Sequence, residues 1–232
     1  MKDYSLPKKI YVQTLLFCNM ECQHCCYNCG PKHHEFMSTE TFEASLKWEP
    51  QTLFNFGGGE PTCHPLFWEF MNLAIKTRGI NKVWIATNGK CTNDALLLAG
   101  MVKNKVIKGC LSQDQWHQPV RQDVVDAFIQ ARSGSMKPTI RNAGLNTDPI
   151  RQGRCDWGNR FECNACGGPF VQHNGQVRQC GCLDAPIIGS VFDGYKPIHH
   201  GKKTWACAFE HPDPNIPIRH HVSQAFSQPV LV

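Results

Sequence analysis

Cys18, Cys22 and Cys25 form a C-x3-C-x2-C array in the stretch Cys-Asn-Met-Glu-Cys-Gln-His-Cys. Three thiolates on one short loop can hold three irons of a 4Fe–4S cluster and leave the fourth iron without a protein ligand. An open coordination position is what a catalytic metal centre requires, whereas four thiolates close a site for structure or electron transfer. Cys26 and Cys29 add a second C-x2-C immediately afterwards. A zinc site is therefore the competing reading, although structural zinc sites usually separate their two pairs by a longer loop. In the cluster reading Cys26 and Cys29 are a buried small side chain and a loop thiol rather than further ligands.

The chain of 232 residues holds 14 cysteines, and nine of them fall in three tight groups, 18–29, 163–166 and 180–182. Such close neighbours make poor disulfide partners but converge well on a metal or cluster. The N-terminus has no apolar run of a signal peptide, and no uncharged stretch approaches the roughly 20 residues of a membrane span. Metal or iron–sulfur chemistry in a reducing cytoplasm is the expectation. The balance of 24 Lys+Arg against 19 Asp+Glu is mild and scattered, which gives no signal for nucleic acid or a membrane surface.

The cysteine loop needs elements to hold it. Strand-like runs at Ile10–Phe17, Thr52–Phe56, Lys82–Thr87 and Val106–Leu111, and a shorter fifth at Pro138–Arg141, alternate with helical segments. The helices are expected from Ser38 to Trp48, from Pro65 to Thr77 with Gly79 as a stop, after Thr92-Asn93-Asp94, and from Asp123 to Arg132. In the last of these Val124, Val125, Phe128 and Ile129 share one face. Strand–helix alternation at this pitch implies βαβ units and a parallel sheet. Ligands in such folds sit at the carboxyl ends of the strands. Three further polar groups gather there: Gly57-Gly58-Gly59-Glu60-Pro61, Thr87-Asn88-Gly89 and Ser112-Gln113-Asp114. Asp114 and His117 lie just past the fourth strand and are the candidate catalytic pair, able to move a proton or bind substrate.

Taken in order, these strand ends resemble the radical S-adenosylmethionine (SAM) enzymes: the three-cysteine loop after the first strand, a GGEP motif after the second, TNG after the third and a Ser after the fourth. The resemblance implies an α/β fold, a partial (β/α)6-type TIM barrel of five to six parallel strands with a small Cys-rich lobe of loops and hairpin. It implies that Cys18, Cys22 and Cys25 ligate the SAM-binding 4Fe–4S cluster, and that Gly58, Gly59 and Glu60 hold the methionine end of SAM. Asn88 and Ser112 are further candidates for SAM contact. Arg141 either pairs with the SAM carboxylate or is a salt-bridged strand-end residue. His24 stands where the family commonly has an aromatic or hydrophobic residue beside the adenine.

Beyond about residue 142 helical periodicity disappears and Gly, Pro and Cys rise. Phe170 to Arg178 reads as a hairpin around Asn174-Gly175. Cys163 is followed by eleven residues, Gly175, four residues and Cys180, a spacing similar to the opening of SPASM and twitch extensions of radical SAM enzymes. The segment lacks the apolar pattern for a core of its own, so something must staple it. A second 4Fe–4S cluster on Cys163, Cys166, Cys180 and Cys182 would do so, with Cys155 and Cys207 in reserve; a zinc knuckle on the same cysteines is the alternative. The expected organisation is a barrel over 8–142, a Cys-rich auxiliary lobe over 150–210 and an extended tail over 211–232. The His33-His34, His199-His200 and His220-His221 pairs read as solvated loops.

The resemblance implies reductive cleavage of SAM to a 5′-deoxyadenosyl radical that takes hydrogen from a peptide or small-molecule substrate. It also implies a low-potential electron donor of the flavodoxin or ferredoxin type. A non-catalytic iron–sulfur electron-transfer protein, or a zinc-stapled interaction protein, is the competing class. Neither needs a GGEP motif beside a three-cysteine loop.

Overall fold

The computed structural model describes residues 9–48, 53–131, 139–142, 152–155, 157, 168–183 and 185–194. Four βα steps build the body: β1 (Lys9–Leu15), α1 (Thr39–Trp48), β2 (Leu53–Gly58), α2 (Phe67–Arg78), β3 (Val83–Thr87), α3 (Thr92–Lys103), β4 (Lys108–Ser112) and α4 (Gln122–Gln130). A short β5 (Ile140–Arg141) pairs in parallel with β4. Three more strands, β6 (Phe170–Val171), β7 (Gln176–Arg178) and β8 (Ile187–Ser190), complete one sheet in the order β5-β4-β3-β2-β1-β6-β7-β8. The fold is the α/β partial barrel expected from the sequence.

Alternation along the strands separates two layers. Ile10, Val12, Phe54 and Phe56 join the helix-facing core with Phe42, Leu46 and Phe70. Phe42 stacks on Phe70 at 4.1 Å between ring centres, which locks α1 to α2. Tyr11, Gln13, Asn55 and Gly57 fall on the opposite strand face, and polar side chains there are out of place unless that face serves a ligand.

The sixth strand joins the sheet at β1, away from β5. β6 pairs in parallel with β1, through Tyr11↔Phe170 and Val12↔Val171, not with β5. It then turns back into β7 and β8, both antiparallel. The Asn174-Gly175 hairpin is present: Gly175 has φ +84°, and the Gln172 N–H donates to the Gln176 carbonyl at 2.8 Å. Phe170 stacks on Tyr11 at 5.3 Å and lies 5.1 Å from Tyr27, beside the cysteine loop. The hairpin is therefore an extension of the main sheet.

Helix boundaries differ in detail. Residues 61–63 form a 3-10 turn, so α2 starts at Phe67 rather than Pro65. Thr92, Asn93 and Asp94 belong to α3 itself. In α4 the Val124–Phe128 ridge is buried, while Ile129, one step round the helix, is 54% exposed. Pro138, Cys163, Cys166, Cys207, the His199-His200 and His220-His221 pairs and the tail from 211 lie outside the described residues.

Candidate active site

The cysteine loop leaves β1 at Leu15 and is anchored by its own backbone. The Cys18 N–H donates to the Gly30 carbonyl and the Gly30 N–H to the Leu16 carbonyl, both at 3.2 Å. Cys18 is buried, whereas Cys22 and Cys25 are half-buried and reach toward the surface. Burial raises the Cys18 thiol to about 12 and the Cys22 thiol to about 11. Cys25 is lowered to about 6 by its hydrogen bond with the Cys29 side chain, helped by nearby N–H donors. A metal binding here must displace protons from Cys18 and Cys22, while Cys25 is already poised as a thiolate. Cys29, read from the sequence as no more than a small side chain or loop thiol, is buried against Cys25.

The glycine run after β2 packs against β1. A Cβ on Gly58 would collide with the Leu15 carbonyl oxygen, and one on Gly59 with that of Phe17. The Gly59 N–H donates to the Leu15 carbonyl at 2.9 Å and the Glu60 N–H to the Phe17 carbonyl at 3.0 Å. Close approach demands glycine here because the next strand's backbone occupies the space of a side chain. The motif thereby clamps the second strand end onto the base of the cysteine loop.

Glu60, 1% exposed, ties this loop to the next. Its Oε1 accepts from Thr62 Oγ1 at 2.6 Å, Thr87 Oγ1 at 2.8 Å and the Thr62 N–H at 3.3 Å. Oε2 accepts from the Asn88 N–H at 2.6 Å. Burial pushes this carboxyl above its usual range, and these donors pull it back toward the ionised form. Among the described residues Oε2 has one contact and so retains acceptor capacity. Asn88 Nδ2 continues the network to Asn19 Oδ1 at 2.8 Å and to Cys18 Sγ at 3.7 Å. Three of the sequence candidates, Cys18, Glu60 and Asn88, thus share one connected network.

A second group forms at the fourth and fifth strand ends. Arg141 donates to Ser112 Oγ at 2.8 Å. Asp114 Oδ1 accepts from the Trp116 N–H at 3.0 Å and lies 2.8 Å from His117 Nδ1. Its Oδ2 lies 3.5 Å from His24 Nε2. The donor atoms of His24, Asp114 and His117 all fall within 4.8 Å of one another, a set that could also take a metal ion. Desolvation lowers His24 to about 4, so it stays neutral. Burial raises the Asp114 carboxyl, but the His117 hydrogen bond and charge outweigh it and hold the group below the usual carboxylate range. His24 packs on Trp116 at 5.2 Å, and Trp116 on Trp157 at 4.6 Å. The residue before the third cysteine therefore faces the Asp114 loop. His24 Nδ1 and Asn55 Oδ1 are buried without a hydrogen-bond partner among the described residues. Such atoms in a native site bond a ligand or water.

The sequence reading missed a strap over the cysteine loop. Arg154 donates through Nε to the Cys22 carbonyl at 3.1 Å, through Nη2 to the Cys29 carbonyl at 2.6 Å and through Nη1 to Asn28 Oδ1 at 3.3 Å. Gln152 bridges the Cys26 carbonyl at 3.0 Å and the Gly181 carbonyl at 3.3 Å. The strap links the first cysteine loop to Cys180 and Cys182, both buried, as is Cys155 at the strap's end. Only its adjacency to Cys155 marks it in the sequence.

No family model matches the chain. A GTP 3′,8-cyclase of Chlorobaculum tepidum is 28% identical over 147 residues, covering 57% of this chain and 44% of the cyclase, so the match spans less than half of that relative. Among solved structures, BtrN in complex with AdoMet and 2-DOIA superposes with a TM-score of 0.57 at 17% identity, over 82% of this chain and 80% of that one. anSMEcpe with bound AdoMet and a Cp18Cys peptide gives 0.52 at 16% identity, over 80% and 77%. SuiB of Streptococcus suis, bound to its precursor peptide SuiA, gives 0.50 at 13% identity, over 89% and 63%. The chain thus shares the partial-barrel fold of these AdoMet-bound and peptide-bound structures, and part of its sequence is similar to the cyclase.

Proposed function

We propose that the protein is a radical SAM enzyme whose cluster is held by Cys18, Cys22 and Cys25. The observation that carries this reading is the network from Cys18 through Asn19 and Asn88 to Glu60, which joins three strand ends around one open-faced thiol loop. The thiol set suits an iron–sulfur cluster with one iron left open. When bound, that cluster and SAM supply one-electron cleavage of the sulfonium C5′–S bond and a 5′-deoxyadenosyl radical that takes hydrogen from the substrate. The chain's own part is binding and orientation. Glu60 Oε2 accepts from the methionine ammonium, with Gly58 and Gly59 fixing its loop and Asn88 holding the cysteine side. Arg141 and Ser112 meet the carboxylate and nucleoside portions. His24 packs beside the adenine, and its Nδ1, without a partner among the described residues, supports a polar contact there. Asp114 and His117 bind substrate or move a proton.

The substrate is a peptide or small molecule, since chains of this fold are solved with both. The proposed organisation remains a barrel over 8–142, an auxiliary lobe over 150–210 and a tail over 211–232. The lobe holds a second 4Fe–4S cluster of SPASM or twitch type on Cys163, Cys166, Cys180 and Cys182. A low-potential flavodoxin or ferredoxin supplies electrons in the cytoplasm. Among the described residues no helix is long and apolar enough to cross a membrane.

Anaerobically reconstituted protein given a low-potential reductant should release 5′-deoxyadenosine from SAM. The Cys18→Ala, Cys22→Ala, Cys25→Ala triple variant should release none. Turnover surviving that substitution would refute the assignment.

A further inference from the structure

Two cysteines belong to neither predicted cluster yet lie beside the SAM-site network. Cys63 closes the 3-10 turn that follows Glu60, and Cys91 stands at the N-terminal end of α3, three residues after Asn88. They are 28 residues apart in sequence, and their sulfurs are 3.8 Å apart, both half-buried. Asn19 Nδ2 donates to Cys91 Sγ at 3.6 Å, and the same Asn19 holds Asn88 through its Oδ1 at 2.8 Å. Burial, followed by the neighbouring Cys91, pushes the Cys63 thiol above the ordinary range.

We propose that Cys63 and Cys91 are a redox-active dithiol whose oxidation to a disulfide weakens SAM binding. The SAM part rests on the function proposed above; the disulfide part does not. A disulfide needs a sulfur–sulfur distance of about 2.05 Å, so the sulfurs in contact must close by less than 2 Å, a loop adjustment rather than a refolding. The oxidant is a low-molecular-weight disulfide such as oxidised glutathione. Cys91, with the Asn19 amide beside it, loses its proton to solvent, attacks one of its sulfurs and expels one glutathione thiolate. Cys63 loses its proton to solvent and attacks the mixed disulfide, expelling the second. Two cysteine thiols are oxidised, the added disulfide is reduced by two electrons, and two protons pass to the released thiolates. Disulfides in reducing compartments are usually transient and sensing, which suits a partly exposed pair.

The consequence follows from the contacts. Movement of the Cys91 sulfur toward Cys63 draws it from the Asn19 amide. Asn19 then no longer steadies Asn88, which joins Cys18 to Glu60. The loop after β2 and the loop after β3 are bridged in a position set by the disulfide instead of by the ligand.

The test uses reconstituted full-length protein, equilibrated anaerobically with oxidised and reduced glutathione in varying ratio and then alkylated. Peptide mapping by mass should show a Cys63–Cys91 linkage with iron content unchanged. SAM affinity by equilibrium dialysis should fall at least tenfold on oxidation and return with reductant, while Cys63→Ser and Cys91→Ser proteins keep one affinity at every ratio. Absence of the linked peptide, or a linked protein that binds SAM like the reduced one, overturns the proposal. Failure of the reduced wild-type to bind SAM refutes the SAM reading itself, and with it the proposed coupling; the mapping still reports separately on the disulfide.

Discussion

Glu60 works in two directions at once. Three donors converge on Oε1, and the Asn88 N–H occupies one side of Oε2. Glu60→Ala would leave buried hydroxyl and N–H groups without an acceptor, at a cost of about 1–3 kcal/mol for each group not rescued by water. The variant should therefore unfold at lower temperature even without SAM, and bind SAM about ten- to a hundredfold more weakly through loss of a charge-assisted contact. Differential scanning calorimetry and equilibrium dialysis check the two effects separately. A loss of affinity with unaltered stability would mean that the internal hydrogen bonds contribute nothing net. Glu60→Gln offers no rescue, because its NH2 group would face a donor wherever it is placed.

The strap of residues 152–155 shows what an element too short for regular structure can do. Gly153 has φ +63°, and a Cβ there would meet the Cys25 carbonyl oxygen at 2.6 Å and the Cys26 carbonyl carbon at 2.7 Å. Gly153→Ala must push the strap off the cysteine loop. Arg154→Ala removes three donors from that loop and exposes its carbonyls, an effect of about 1–3 kcal/mol on the loop. Both variants should lose iron from the first site to a chelator several-fold faster than the wild type, followed by absorbance. Arg154→Lys should rescue only partly, since one ammonium cannot reproduce the spread of a guanidinium fork. Equal rates of iron loss for all four proteins would show that the strap does not support the site.

At the scale of the whole molecule, among the described residues the hairpin and the strap of residues 152–155 join the C-terminal segment to the barrel. β6 adds to the β1 edge, Phe170 packs between Tyr11 and Tyr27, and Gln152 spans from Cys26 to Gly181. The proposed auxiliary cluster would thus be mechanically continuous with the first cysteine loop. Removing Cys163 and Cys180 together should lower iron from about eight to about four per chain, the count of two 4Fe–4S clusters against one. SAM cleavage should largely persist while product formation is lost. Metal analysis of the Cys18→Ala, Cys22→Ala, Cys25→Ala protein separates the alternatives: about four irons support the second cluster, whereas zinc without iron supports the knuckle.

The amino-acid sequence by itself determined the features that are local along the chain. Cys18, Cys22 and Cys25 are close because few residues separate them, and hydrophobic period alone marks the four βα steps. The Asn174-Gly175 turn carries its own backbone preference, so its hairpin was legible too. Tertiary structure alone decided which distant groups meet. Arg154 reaches Cys22 across 132 positions and Asn88 reaches Asn19 across 69. No spacing rule links such residues, because their contact depends on sheet order and on how closely the strand ends approach. The same holds for β6 at the β1 edge, where a two-residue strand has too short a pattern to choose its neighbour. Packing of Phe170 on Tyr11 and Tyr27 makes that choice.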